Sequence, residues 1–398
     1  MGIPCRWITP SIFQAHPGNT IIDEYTLCQQ LGHDAAYNIL KPHWDTWITE
    51  KDIAQVASWG FNMVRIPIGF WAYDSFGTPY VSGADAYLER AIGWARNHGI
   101  KVLVDLHGAP LSQNGFDNSG QKMGAPQWGH GDSVTQTLTA IQQIANKYAA
   151  ASYNDVVMGV ELLNEPFSFE LDMNQLRQFY RDGYGHVRQT NQQTVVVLQD
   201  AFKAPSYWNG FLTPQDANAQ MVAIDHHEYQ VFDNNMVGWQ PWQHRQGVCN
   251  MANAYAGSDK WSFVGEWTAA MTDCATYLNG KSSFDPCNTE VNAISQLTFA
   301  SGYGVGARYD GSYPGSWYHG SCASINHIEK WTGQMISDAR GYIEAQMEAF
   351  EHGTNGWTFW TLKTEASAEW DLYKLINVGA FPQPLYARNF SQICTTFN

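Results

Sequence analysis

Short apolar, β-branched runs recur along the chain, separated by stretches of helical periodicity. The runs stand at Asn62–Pro67, Ile100–His107, Val156–Asn164, Thr194–Gln199, Met221–His226, Trp261–Trp267 and Gly356–Thr361. Most are nearly continuous in apolar character, which predicts parallel strands buried on both faces. Between them, Tyr87–His98 places Leu88, Ala91, Ile92 and Ala95 on one helical stripe, and Gly99 ends it. Gly333–His352 repeats the pattern with Met335, Ala339, Ile343, Met347 and Phe350. This strand–helix alternation predicts an α/β fold, a single-domain (β/α)8 TIM barrel over residues 1–398. Seven strands are legible, and the missing one is expected to be the first, ahead of Trp7. A doubly wound open sheet is the competing architecture, but no strand runs into a glycine-rich phosphate turn.

Composition narrows the function classes. Of 398 residues, 44% are hydrophobic, which excludes a disordered chain. The net charge of −15 disfavours nucleic acid and anionic membrane surfaces as partners. No run approaches the roughly eighteen apolar residues that a membrane span needs. Aromatic residues reach 14%, a surplus that suits a cleft for ring-shaped ligands. The seven cysteines form neither CxxC pairs nor a zinc-ligand pattern, and five lie beyond residue 240 in loop-like text. Disulfides in an exported protein fit them better than buried thiols. The sequon Asn389-Phe390-Ser391 is compatible with export, although Met1–Arg6 lacks the layout of a signal peptide.

Chemistry-bearing residues gather at the C-terminal ends of the expected strands, where a barrel builds its active site. Arg65, Asp105-Leu-His107, Asn164-Glu165-Pro166, His226-His227-Glu228-Tyr229, Gly265-Glu266-Trp267 and Trp360 all stand there. A lone carboxylate at a buried strand end costs several kcal/mol, about 3 or more, and the gathering of such chemistry at six strand ends argues for a site. Two carboxylates on separate strands are the equipment of glycoside hydrolysis, one as proton donor and one on the other side of the anomeric carbon. Asn164 is placed to hold a sugar 2-hydroxyl. Arg65 and Tyr229 are placed to hydrogen-bond Glu266. With Glu266 anionic, like-charge repulsion is expected to push the Glu165 pKa upward, making Glu165 the acid/base and Glu266 the nucleophile. A separation of about 5–5.5 Å would give retention. His107 and His227 read as hydrogen-bonding wall residues. A two-His metal site is the alternative for them, but no third ligand of suitable spacing stands out, so no metal and no cofactor are expected.

These residues sit in longer motifs that carry a resemblance. Met63–Trp71 (MVRIPIGFW), Asp105–Pro110 (DLHGAP), Ser112–Ser119 (SQNGFDNS), Glu161–Pro166 (ELLNEP), Asp225–Phe232 (DHHEYQVF) and Gly265–Trp267 resemble glycoside hydrolase family 5, close to its fungal exo-β-1,3-glucanase branch. The resemblance runs from Trp7-Ile-Thr-Pro-Ser11 to Phe381-Pro-Gln-Pro384. It implies a monomer, secreted or bound in the cell wall, that releases glucose from the non-reducing ends of β-1,3-glucan with retention. It matches Glu165 to the acid/base and Glu266 to the nucleophile. Arg65, His107, Asn164, His227 and Tyr229 match the surrounding shell. Trp360 matches the platform under the first sugar, and Asp117 and Asn118 match the blind end of the pocket. Phe116 and Phe232 match a clamp on the next sugar. Cys274–Cys322 and Cys249–Cys394 match two disulfides, leaving Cys5, Cys28 and Cys287 unpaired.

The chain also departs from this pattern. The segment that would hold the first strand is replaced by Met1–Arg6, with Cys5 where a sugar-binding glutamate is usual; an upstream coding segment is the expected explanation. Residues 281–303 form an atypical insertion, Leu362 replaces a tryptophan, and Val305 replaces an arginine. Two alternatives follow: a β-glucanase or β-glucosidase of other linkage preference, and an inactive glucan-binding protein.

Overall fold

In the computed structural model, the described residues are 9–16, 20–280, 306–390 and 392–394. Cys5, Cys287, Val305 and the expected insertion at 281–303 lie outside them. Six parallel strands form one sheet in sequence order: β1 (Met63–Gly69), β2 (Lys101–Gly108), β3 (Val157–Glu161), β4 (Val195–Gln199), β5 (Val222–Glu228) and β6 (Trp261–Trp267). The helices α4 (Glu50–Ser58), α5 (Ala84–Asn97), α6 (Ser133–Tyr148), α7 (Met173–Thr190), α8 (Pro241–Tyr255), α9 (Gly333–Gly353) and α10 (Leu372–Asn377) share its large core, while α1 (Pro10–Gln14), α2 (Glu24–Leu31) and α3 (His33–Thr46) form a separate cluster with Val81 and Tyr277. This is the expected barrel class, built as an open arc.

The seventh expected strand, Gly356–Thr361, is corrected. It runs along β6 but forms only one bridge, Val264 with Trp357. Its main chain still bonds there: Val264 N–H to the Gly356 carbonyl at 3.0 Å and Trp360 N–H to the Trp267 carbonyl at 2.8 Å. Between this segment and β1, no strand pairs among the described residues. A cavity of about 310 Å³, lined by Met63, Val64, Arg65 and Trp357, lies along that margin.

The alternation of side chains decides what each face receives. Outward-facing Val102, Val104, Val196, Leu198 and Ile224 enter the large core beneath the helices. Inward-facing Leu103, Val195, Val197 and Ala223 plug the arc's floor together with Met63, Met221 and Phe263. In α5 the predicted stripe is buried as expected. In α9 the expected one-sided stripe is corrected: from Ala339 to Phe350, all but Glu348 are buried. The C-terminal segment covers the other face, where Glu344 accepts from the Asn389 and Phe390 N–H groups at 2.9 and 2.7 Å. The disulfides pair as the resemblance implied, Cys249 with Cys394 and Cys274 with Cys322. Cys28 is a buried free thiol.

Candidate active site

The polar layer begins one step above the apolar floor. Arg65 points inward from β1 and is almost fully buried. Its guanidinium donates to Glu161 from Nε at 2.7 Å and from Nη2 at 2.9 Å. Nη1 donates to Glu266 Oε1 at 2.8 Å, and Nη2 also to Asn164 Oδ1 at 2.8 Å. Asp105 and Asp225 stand 3.1 and 3.4 Å from the same cation. A buried charge persists only when paired, and here one fixed fork organises carboxylates from four other strands. Burial pushes the Glu161 carboxyl well above its ordinary range even against Arg65.

Above this base lie the two predicted carboxylates. Tyr229 donates to Glu266 Oε2 at 2.7 Å. His227 Nδ1 lies 2.8 Å from Glu165 Oε1 and 3.7 Å from Glu266 Oε2. One oxygen of each carboxylate and a His227 nitrogen all lie within 4.8 Å of one another. Asn118, expected at the blind end of the pocket, donates to Glu165 Oε2 at 2.9 Å. His107 receives its orientation from Asp105, 2.7 Å away, and stacks on the Trp360 ring at 5.6 Å and 7°. Asp117 is half-buried at the head of the turn Asp117–Ser119. Phe116 and Phe232 are both exposed, with Phe232 edge-on to Tyr229 at 5.6 Å.

The expected upward shift of Glu165 is contradicted. Burial does act upward, but the hydrogen bond and charge of His227, with smaller contributions from His107 and Asn118, bring Glu165 down to about 2. His227 is correspondingly displaced well above its ordinary 6.5: burial opposes its charge, and Glu266 and Asp225 overcome that. In the substrate-free site the proton therefore rests on His227, across a 2.8 Å bond from Glu165. Repulsion between the two glutamates is outweighed because a cation sits between them.

Two backbone features place these groups. Glu165 is not at the end of a strand, since β3 stops at Glu161. It sits in the loop beyond at φ 45, a region a non-glycine residue occupies at a cost of about 1–3 kcal/mol. Gln113 holds this loop, donating to the carbonyls of His107 and Asn164 at 2.7 and 2.9 Å, while its own carbonyl accepts from Phe167 N–H at 3.1 Å. In β6 the pairing runs His226 with Val264 and His227 with Glu266, so Gly265 is an extra, bulged residue. Counting by twos from inward Phe263 would send Glu266 outward; the bulge turns it in. Gly265 is required there, because a Cβ would meet Asp225 Oδ2 at 2.0 Å, and its N–H donates to Asp225 Oδ1 at 2.7 Å.

Sequence reasoning missed Glu161, Asp225 and Gln113 as site residues. The first two had a signal, since Asp225 is two residues before His227 on β5 and Glu161 is in-phase with inward Gly159 on β3. Gln113 had none, because its role depends on a loop meeting two strands. The grouping Glu165–His227–Glu266 has the ligand types of a metal site. Arg65 already supplies positive charge to the acidic base of this grouping.

A family model described as Cellulase (glycosyl hydrolase family 5) matches residues 28–307. A Glucan 1,3-beta-glucosidase of Blumeria graminis is 45% identical, the match covering 98% of this chain and 86% of that one. A protein of the same description from Yarrowia lipolytica is 41% identical, covering 98% and 88%. Among solved structures, the rutinosidase from Aspergillus niger superposes with a TM-score of 0.69 at 18% identity over 94% of each chain, which attests the fold.

Proposed function

The chain belongs to glycosyl hydrolase family 5, and on that premise we propose that it is a retaining exo-β-1,3-glucanase acting outside the cell. The observation that carries the reading is the pair Glu165 and Glu266, with oxygens within 4.8 Å across His227. That spacing fits the close pair of a retaining enzyme better than the wider pair of an inverting one. The linkage follows the relatives named Glucan 1,3-beta-glucosidase. Two disulfides among the described residues support an extracellular setting. No described helix is long and apolar enough to cross a membrane. The alternative without turnover finds no support in a site whose acid, nucleophile and cationic base are all assembled.

The roles follow from the geometry. Glu266, held by Arg65 and Tyr229, attacks the anomeric carbon as the glycosidic C–O bond breaks. His227 passes its proton across the hydrogen bond to Glu165, which hands it to the leaving oxygen, so this step leaves His227 neutral and Glu165 a carboxylate. Forming the Glu266 ester removes a negative charge beside His227 and weakens its hold on that proton, so the transfer is favoured when it is needed. In the second step Glu165, again a carboxylate, takes a proton from water as the water oxygen displaces Glu266, and that proton returns to His227. Asn164, fixed through Oδ1 by Arg65, is positioned to bond the sugar 2-hydroxyl, and Trp360 to support the ring face.

Digestion of laminarin tests the reading: glucose as the first product supports it, and long oligosaccharides without early glucose would overturn exo action. Glu266→Ala is expected to lose turnover by about 10⁴-fold or more with the fold intact. Glu165→Ala is expected to retain the first step on aryl glucosides, whose leaving groups need little protonation. Near-normal activity in Glu266→Ala would refute the assignment.

A further inference from the structure

Pairing between β6 and the segment that carries Trp360 stops early. The bond from the Trp360 N–H to the Trp267 carbonyl is the last main-chain link between them among the described residues. Beyond it a side chain takes over. Glu369, in the turn Ala368–Trp370, is almost fully buried. Its two carboxyl oxygens accept from the Met271 N–H at 3.0 Å and the Thr272 hydroxyl at 2.5 Å. Its main-chain carbonyl accepts from the Thr268 hydroxyl at 3.1 Å. One residue thus holds three of the residues that follow β6, the strand that carries Glu266. Burying a carboxyl is costly unless its oxygens are bonded, and the mechanism above gives this one no task.

Its neighbour Trp370 shows where that hold is felt. Trp370 is buried in one cluster with Ala270, and its ring lies against that of Tyr229, centroids 5.5 Å apart at 32°. Tyr229 donates to Glu266 Oε2 at 2.7 Å. The other ring that meets Tyr229, that of Phe232, is itself 47% exposed, so Trp370 is the firmer backing. A phenol hydroxyl bonds well only over a narrow range of distance and angle, and the wall behind its ring sets both. We infer that Glu369 is a positioning residue for the nucleophile: it fixes Trp370 against Tyr229, and thereby the hydrogen bond from Tyr229 to Glu266. The inference rests on the assignment of Glu266 above and deepens it with a residue that acts from behind the site.

The test measures kcat and KM on an aryl β-glucoside for the unmodified protein, Glu369→Leu, Glu369→Gln, Tyr229→Phe and the double variant Glu369→Leu/Tyr229→Phe. Glu369→Leu is expected to lower kcat about 10- to 100-fold and to move KM by less than about threefold, because a misaimed nucleophile slows chemistry more than binding. Glu369→Gln keeps an acceptor for the Met271 N–H and an amide for the Thr272 hydroxyl, and is expected to recover most of that loss. Because the effect passes through Tyr229, the double variant is expected to fall within about twofold of Tyr229→Phe alone. Losses that multiply would overturn the inference, as would an unchanged kcat in folded Glu369→Leu. A rise in KM alone would also overturn it, assigning Glu369 to the support of Trp360. If Glu369→Leu does not fold, Thr272→Val decides: a kcat loss of about two- to tenfold that disappears in the Tyr229→Phe background supports the inference, and one that persists there refutes it. An unmodified protein that hydrolyses no β-glucoside would refute the glycosidase reading together with this inference, whereas an active enzyme with multiplying losses refutes the inference alone.

Discussion

Glu165 shows that proximity of two carboxylates does not by itself settle which one carries a proton. Glu266 is close, yet the site holds Glu165 at about 2, because His227 lies nearer and is charged. The consequence is testable at a single residue. Replacing His227 by Ala removes the cation and the hydrogen bond but leaves the burial, so the Glu165 pKa is expected to rise above 4.5. Carboxyl-carbon NMR titration checks this, and an unmoved value would refute the assignment. The same variant is expected to lose about 10²–10⁴-fold in kcat/KM, the usual scale of a lost proton relay.

Elements place these residues through two departures from regularity, the bulge at Gly265 and the left-handed step at Glu165. Gly265→Ala would force a Cβ into the Asp225 carboxylate. It is expected to destabilise the fold by about 1–3 kcal/mol and to disturb the partner that faces His227. Denaturant unfolding together with kcat measures both effects. Gln113→Leu keeps the volume but leaves the His107 and Asn164 carbonyls without its amide. An unpaired buried polar group costs about 1–3 kcal/mol, and we expect kcat to drop as the Glu165 loop loses its support. The Cys249–Cys394 bridge ties α8 to the C-terminal segment over 145 residues. Replacing both cysteines with Ala is expected to lower stability by about 3–5 kcal/mol, read in the same unfolding experiment.

For the whole molecule, the shifted groups together set a pH window. Burial raises Glu24 to about 8 and Glu369 to about 7, so both bind a proton more tightly folded than unfolded. Their stabilisation is complete below about 4.5 and is lost as pH rises through 7 to 8. His226, at about 10, and His227 act in the same sense: their share is present below 6.5 and lost as pH climbs through their raised values. Glu165 and His244 act oppositely. The Glu165 share is lost as pH falls from 4.5 toward 2, and that of neutral His244, at about 4, as pH falls from 6.5 through 4. The net charge of −15 at pH 7 adds self-repulsion on the alkaline side. Thermal unfolding across pH 3–9 is expected to give the highest Tm between about pH 4.5 and 6.5. A maximum above pH 8 would contradict this.

Much of this was legible in the chain itself, because burial on both faces of a parallel sheet writes a near-continuous apolar run. Six of seven expected strands and the α5 stripe emerged that way, and strand ends named Arg65, His107, His227 and Tyr229. Local pattern failed where the backbone breaks its own period. Gly356–Thr361 reads as a strand but makes one bridge, and α9 reads as one-sided but is wrapped by the C-terminal segment. Glu266 faces the site only because a bulge reverses the count. Where the proton rests depended on a histidine sixty-two positions from Glu165 in sequence and 2.8 Å away in space. Residue type and spacing are local quantities, whereas electrostatic potential sums over every charge the fold brings together, so only tertiary structure could decide it.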